Sequence, residues 1–193
     1  MDNHTQHHHL SRSRWVAVTA IMAALALVGN YALVMVPNVE LGSTVLFVTA
    51  YLFGLQMAVW CVFLVSIIFA FFNPWGPFIP AIWLAQVIGW LFMVTAGWMM
   101  GRTREGQWTR AGILELSFVG AIATLFFDLV TTMGYSWSFS VPFAVALISL
   151  LPFTLIHVFS NAIVFPLVVP KLDLALKRPI SHMLGPESNR SIE

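Results

Sequence analysis

Two apolar stretches, residues 15–101 and 111–170, carry most of the chain, and neither contains a Lys or an Arg. A bilayer crossing needs ~20 apolar residues, so the first stretch has room for four crossings and the second for two. Breaker residues divide them. Span one is predicted over 14–36, and Pro37-Asn38-Val39-Glu40-Leu41 follows as a short loop. Residues 43–72 must then hold two crossings, which calls for short or tilted helices with a break near Gly54-Leu55-Gln56. Three prolines and a glycine make Asn73-Pro74-Trp75-Gly76-Pro77-Phe78-Ile79-Pro80 a rigid loop rather than a helix. Span four is expected over 81–101 and span five over 111–135, with 102–110 between them. Tyr135-Ser136-Trp137-Ser138 reads as a turn with an interfacial Trp, and 139–142 as loop. Span six is expected over 143–170, kinked at Pro152 and Pro166.

Charge gives this string of spans a direction. The basic residues fall in three clusters: Arg12 and Arg14; Arg102, Arg104 and Arg110; and Lys171, Lys177, Arg178 and Arg190. Basic residues beside membrane spans stay on the cytoplasmic side, so each apolar stretch must cross an even number of times. The predicted fold is an all-α integral membrane protein, a six-transmembrane-helix bundle with both termini cytoplasmic. Residues 1–13 form a polar tail with four His, 14–170 the membrane domain and 171–193 a second cytoplasmic tail. The composition agrees: 59% hydrophobic, 9% charged and a mean hydropathy of +0.85. The net charge of +1 says little, because the sorting of charge carries the signal. No cleavable signal peptide is evident at residues 15–36, and no internal repeat argues for an inverted-repeat transporter.

Polar residues inside spans are costly and therefore informative. Asp128 is the clearest, placed by its position in span five in the outer third of the membrane. Gly120, Thr124, Asp128 and Thr132 recur every fourth residue and share one helix face. A carboxylate on such a face suits either a pocket open to the outside or a hydrogen bond to a neighbouring helix. Gln86 sits at similar depth and either lines the same pocket or joins two helices. Asn38, Glu40, Asn73 and Trp75 lie in outer loops able to fold over it. His157 and Asn161, one turn apart on span six, are expected to make interhelical hydrogen bonds. Glu115, near the inner interface, needs no function. Small residues form two further faces: Ala20 and Ala24, with Ala17 and Ala23 adjoining, and Ala85, Gly89, Gly97 and Gly101. One is expected to pack internally, while the span-one face suits a protein partner.

Catalytic templates are absent from the sequence. It has no nucleotide-binding Gly-rich loop ending in Gly-Lys-Ser/Thr, no His-Glu-x-x-His and no Gly-x-Ser-x-Gly. Lone Cys61 allows no internal disulfide and no multi-cysteine metal site, and it reads as a small hydrophobe. No metal, cofactor or nucleic-acid partner is expected.

The alanine face of span one, Pro37-Asn38-Val39-Glu40-Leu41, and Ala50-Tyr51-Leu52-Phe53-Gly54 resemble the substrate-binding S component of energy-coupling factor (ECF) vitamin transporters. The proline-rich loop from Asn73 to Pro80 and the span from Gln86 to Gly101 extend the resemblance over about residues 14–170. It implies a protein of a prokaryotic plasma membrane, without enzymatic activity. Such a protein binds a vitamin or related micronutrient from outside, then docks on a transmembrane coupling subunit and two ATPase subunits and topples to release its load. Ala20 and Ala24 would pack on the coupling subunit. Asn38, Glu40, Asn73, Trp75, Gln86 and Asp128 are named as substrate-binding residues from depth and polarity, since pocket residues differ between members. Some cobalamin-binding relatives use a cysteine near the ligand, and Cys61 is expected to lie too far toward the inner side for that. With eight Trp and sixteen Phe available, a flat aromatic or corrinoid ligand is plausible by stacking. Two other classes remain open: a small membrane enzyme using Asp128 and His157 as an acid–base pair, although their expected depths differ, and a structural subunit of a larger complex.

Overall fold

The computed structural model describes residues 11–74, 76–104 and 107–183, with side chains as far as 177. These form six helices: α1 (Arg12–Ala32), α2 (Gly42–Phe53), α3 (Leu55–Phe71), α4 (Pro80–Thr103), α5 (Arg110–Phe139) and α6 (Phe143–Met183). Four of them, α1, α4, α5 and α6, are long and apolar enough to cross a membrane. Their outward surfaces carry large apolar residues, including Ile21, Phe118, Ile148 and Phe159, all more than half exposed. An apolar surface of that extent belongs in lipid rather than water.

The tight middle segment divides where expected. Helix α2 has 12 residues and α3 has 17, joined at Gly54 alone. Gly54 adopts φ 89° and ψ 168°, a conformation essentially closed to residues with a Cβ. Its backbone N–H still donates to Ala50 and its carbonyl accepts from Ala58, so the reversal costs few hydrogen bonds. At 1.5 Å per residue, α2 is only ~18 Å long and cannot cross a bilayer upright by itself. It does not face lipid. Residues 42–50 are buried on every side, and α2 contacts α1, α3, α4 and α6. It is the axis around which the bundle is built.

Two apolar cores meet on that axis. Met22, Ala26, Leu46, Ala58 and Val62 join α1, α2 and α3, while Phe47, Met93, Leu116 and Phe165 join α2, α4, α5 and α6. The α4–α2 seam is a backbone contact. A Cβ placed at Gly97 would stand 2.5 Å from the Phe47 carbonyl oxygen, and one at Gly101 would meet that of Tyr51. The small face of α4 is therefore internal, with Gly89 closing on Phe127 of α5.

Several boundaries move. Helix α1 ends at Ala32, short of residue 36, and turns follow. The expected turn at 135–138 is helical: α5 continues to Phe139 and stops at Ser140, whose φ of 53° is left-handed. Ser136 and Ser138 return their hydroxyls to backbone carbonyls, so their polarity is satisfied without breaking the helix. Helix α6 passes through Pro152 and Pro166 and beyond residue 170 to Met183. Its extension is anchored by Asp173, which is buried and accepts from the Trp108 indole at 3.0 Å and from Lys177 at 2.9 Å. The Arg104 guanidinium lies over the Trp108 ring and pairs with Glu115. These contacts tie the basic loop to α5 and α6.

Candidate functional site

The six helices alternate in direction, so the C-terminal ends of α1, α3 and α5 and the N-terminal ends of α2, α4 and α6 gather at one end. That end is opposite the basic loop. A cavity of about 560 Å³ opens there, of the size that encloses small-molecule ligands. Its walls are aromatic and aliphatic, with Phe69, Trp90, Phe127, Tyr135 and Phe153 among them. The Trp90 and Phe127 rings lie 5.5 Å apart at 43°.

The polar groups converge from four directions. Asp128 of α5 and His157 of α6 are joined by a 2.8 Å contact between Oδ1 and Nδ1. The other ring nitrogen of His157 faces Glu40 Oε1 at 3.7 Å, an ion-pair distance but too long for a hydrogen bond. Glu40 Oε2 accepts from the Ser43 N–H at 2.8 Å, in the first turn of α2, where the helix dipole favours a carboxylate. Ser43 Oγ in turn accepts from the Trp90 indole of α4 at 3.1 Å. One polar string thus runs from α4 through α2 and the 33–41 loop to α6 and α5. Burial pushes the pKa of Glu40 up, but the adjoining His157 ring and the Ser43 contacts outweigh it and hold it below the ordinary 4.5.

The string is incomplete. Asp128 Oδ2, Glu40 Oε1, His157 Nε2 and Asn30 Nδ2 are buried with no hydrogen-bond partner, and all four residues line the cavity. Buried polar atoms of this kind are costly unless something occupies the space they face. Asp128 therefore ties α5 to α6 through one oxygen, and it also lines the cavity. The face it shares is graded. Gly120 packs against Phe165 and the Asn161 backbone, Thr124 accepts from Asn161 Nδ2 at 2.9 Å, and Asp128 and Thr132 reach the cavity.

Of the residues named from sequence, Asn38, Glu40, Asn73, Gln86 and Asp128 all line this cavity, and Trp75 lies outside the described residues. Asn38 also ties the loop to α6. It donates through Nδ2 to the Phe153 carbonyl at 3.2 Å, and its own carbonyl accepts from Ser160 at 3.3 Å. His157 was expected to join helices, and it does, but it is also a cavity residue. The depth objection to pairing it with Asp128 falls. The 2.8 Å contact itself brings the two side chains together across the α5–α6 interface. Asn30, Ser43 and Trp90 were missed. Asn30 follows the small residue Gly29 in a long apolar run, and its neighbours gave no period to flag it.

Elsewhere, Ala20 and Ala24 are exposed on the outer side of α1, as is Ala17, whereas Ala23 is buried. Cys61 is buried against the Thr19 carbonyl, away from the cavity. Among the described residues, no three His, Cys, Asp or Glu side chains converge to hold a metal ion. A family model described as "ECF transporter, substrate-specific component" matches residues 14–169. No curated protein and no solved structure matches the chain.

Proposed function

Because this chain belongs to the substrate-specific components of ECF transporters, we propose that it captures a vitamin-like small molecule in the cavity between Glu40, Asp128 and His157. The family is one of transporter substrate-binding components and not of enzymes. The observation that supports the reading is the set of buried, unpartnered polar atoms on residues that line an aromatic-walled cavity. The basic-loop end is cytoplasmic on the charge argument, so the cavity opens outside, with the 33–41 loop and the loop before Pro80 as its rim. Asn38, Glu40, Asn73, Gln86 and Asp128 contact the ligand, together with His157 and Asn30. A cavity of about 560 Å³ suits a flat, compact ligand better than a corrinoid, which exceeds drug-like size.

The exposed Ala20–Ala24 face of α1 then docks on a transmembrane coupling subunit that serves two ATPase subunits. Small residues there permit close backbone approach, and the bundle itself leaves that face uncovered. Transport follows from the separation of the two features: capture at one end of the bundle, docking along one flank.

Mass spectrometry of the protein purified from its native membrane tests the capture. A single small molecule should accompany the wild type and be depleted in Asp128→Asn. Purification without any bound molecule, together with no thermal stabilisation by a panel of vitamins, would exclude the capture role.

A further inference from the structure

We propose that the cavity selects a compact, planar organic cation, one presenting an amidinium or ammonium group to Glu40 and Asp128 while its ring lies among the aromatic walls. The inference rests on the capture reading above and adds the charge and shape of the captured molecule.

The first argument is the sign of the site. Glu40 and Asp128 are brought to either side of one imidazole, and among the described residues no Lys or Arg lines the cavity. Every basic residue of the chain lies in the three clusters, and all the described ones belong to the far end of the bundle. Two carboxyl groups thus share a single imidazole. An anionic ligand would enter a low-dielectric space beside them with no Lys or Arg among the described cavity residues to meet it, a cost that grows as water is expelled.

The second argument is what the cluster leaves open. Asp128 lines the cavity, and its Oδ2 is a buried acceptor without a donor. Glu40 Oε1 also accepts no hydrogen bond, its neighbour being His157 Nε2 at the ion-pair distance of 3.7 Å. Two acceptor oxygens on separate carboxylates call for donors from the ligand, and a charged N–H group supplies them most strongly. The third is the wall: Trp90 and Phe127 sit beside the carboxylates, and aromatic faces attract cations as well as stacking on planar rings. Each feature alone is ordinary. Together they describe a site with an acidic cluster set among aromatic walls.

Three probes of the same shape and different charge isolate this claim: benzamidinium, benzamide and benzoate. Each is titrated calorimetrically into the purified wild type, Asp128→Asn and Glu40→Gln, with thermal melts confirming that each variant is folded. Benzamidinium should bind the wild type roughly tenfold or more tighter than the other two, the range of a hydrogen bond to a charged group. Its advantage should shrink in both variants. Equal or tighter binding of benzoate or benzamide to the wild type would overturn the cation claim and leave capture standing. Binding of none of the three would also overturn it. Capture itself would then be judged separately, by whether a molecule accompanies the purified protein.

Discussion

At the residue scale, Asp128 shows how one side chain serves two ends. Oδ1 secures His157 across the α5–α6 interface, while Oδ2 remains for a ligand. Asn at this position keeps an oxygen for His157 but replaces a charged acceptor by an amide that donates into the cavity. Glu40 offers a test through pH. Its folded pKa lies below the ordinary value of 4.5, so its contribution to stability is present above that value. The contribution is lost as pH falls through the depressed one. Glu40→Gln should therefore melt below the wild type at neutral pH, and the gap should begin to narrow below about pH 4.5 and close once pH has fallen past the depressed value. A gap independent of pH would mean that Glu40 acts by packing alone. Gln86 and Asp128 were legible because a polar group at membrane depth stands out against its neighbours, and Asn38, Glu40 and Asn73 because loops at one end of the spans can fold over such a group. His157 was legible as an interhelical contact but not as a cavity residue, because that depends on partners distant in sequence.

The same dependence appears at the scale of elements. Apolar runs and proline breaks located all six helices, and Gly54 was identifiable as the break between α2 and α3 as the flexible point of a polar-poor segment. The ends of α5 and α6 were not legible. Ser136 and Ser138 look like turn residues, yet each bonds to the backbone within reach of the helix end. The continuation of α6 depends on Asp173 finding Trp108, 65 residues earlier, which no local pattern contains. Two glycines can be told apart by experiment. Nothing crowds a Cβ at Gly54, so Gly54→Ala should destabilise through backbone conformation alone, on the order of 1–3 kcal/mol. Gly97→Ala instead forces α4 away from the Phe47 carbonyl and should cost a similar 1–3 kcal/mol by overpacking. Thermal melts measure both. Trimming the ring by Phe47→Ala in the Gly97→Ala background should recover little, because the shortest contact is with the Phe47 carbonyl oxygen.

For the whole molecule, the sorting of charge orients the bundle and the cavity together. Cysteines introduced at 107 and 182 in a Cys61→Ala background should resist an impermeant maleimide in intact cells, while those at 40 and 76 react. Labelling at 107 and not at 40 would invert the protein in its membrane. The proposed function separates two tasks in space. Asp128 lines the cavity, while Ala20 and Ala24 lie on an exposed flank of α1. That separation is most directly tested by calorimetric titration of the molecule the protein carries into Asp128→Asn and into the double variant Ala20→Leu, Ala24→Leu, side by side with the wild type. Asp128→Asn should lose affinity by roughly tenfold to a hundredfold, the range of a hydrogen bond to a charged group. The double variant should bind as the wild type does while failing to support uptake in cells. Unchanged affinity in a destabilised Asp128→Asn, or collapse of binding in the alanine variant, would contradict a cavity that captures and a separate flank that docks.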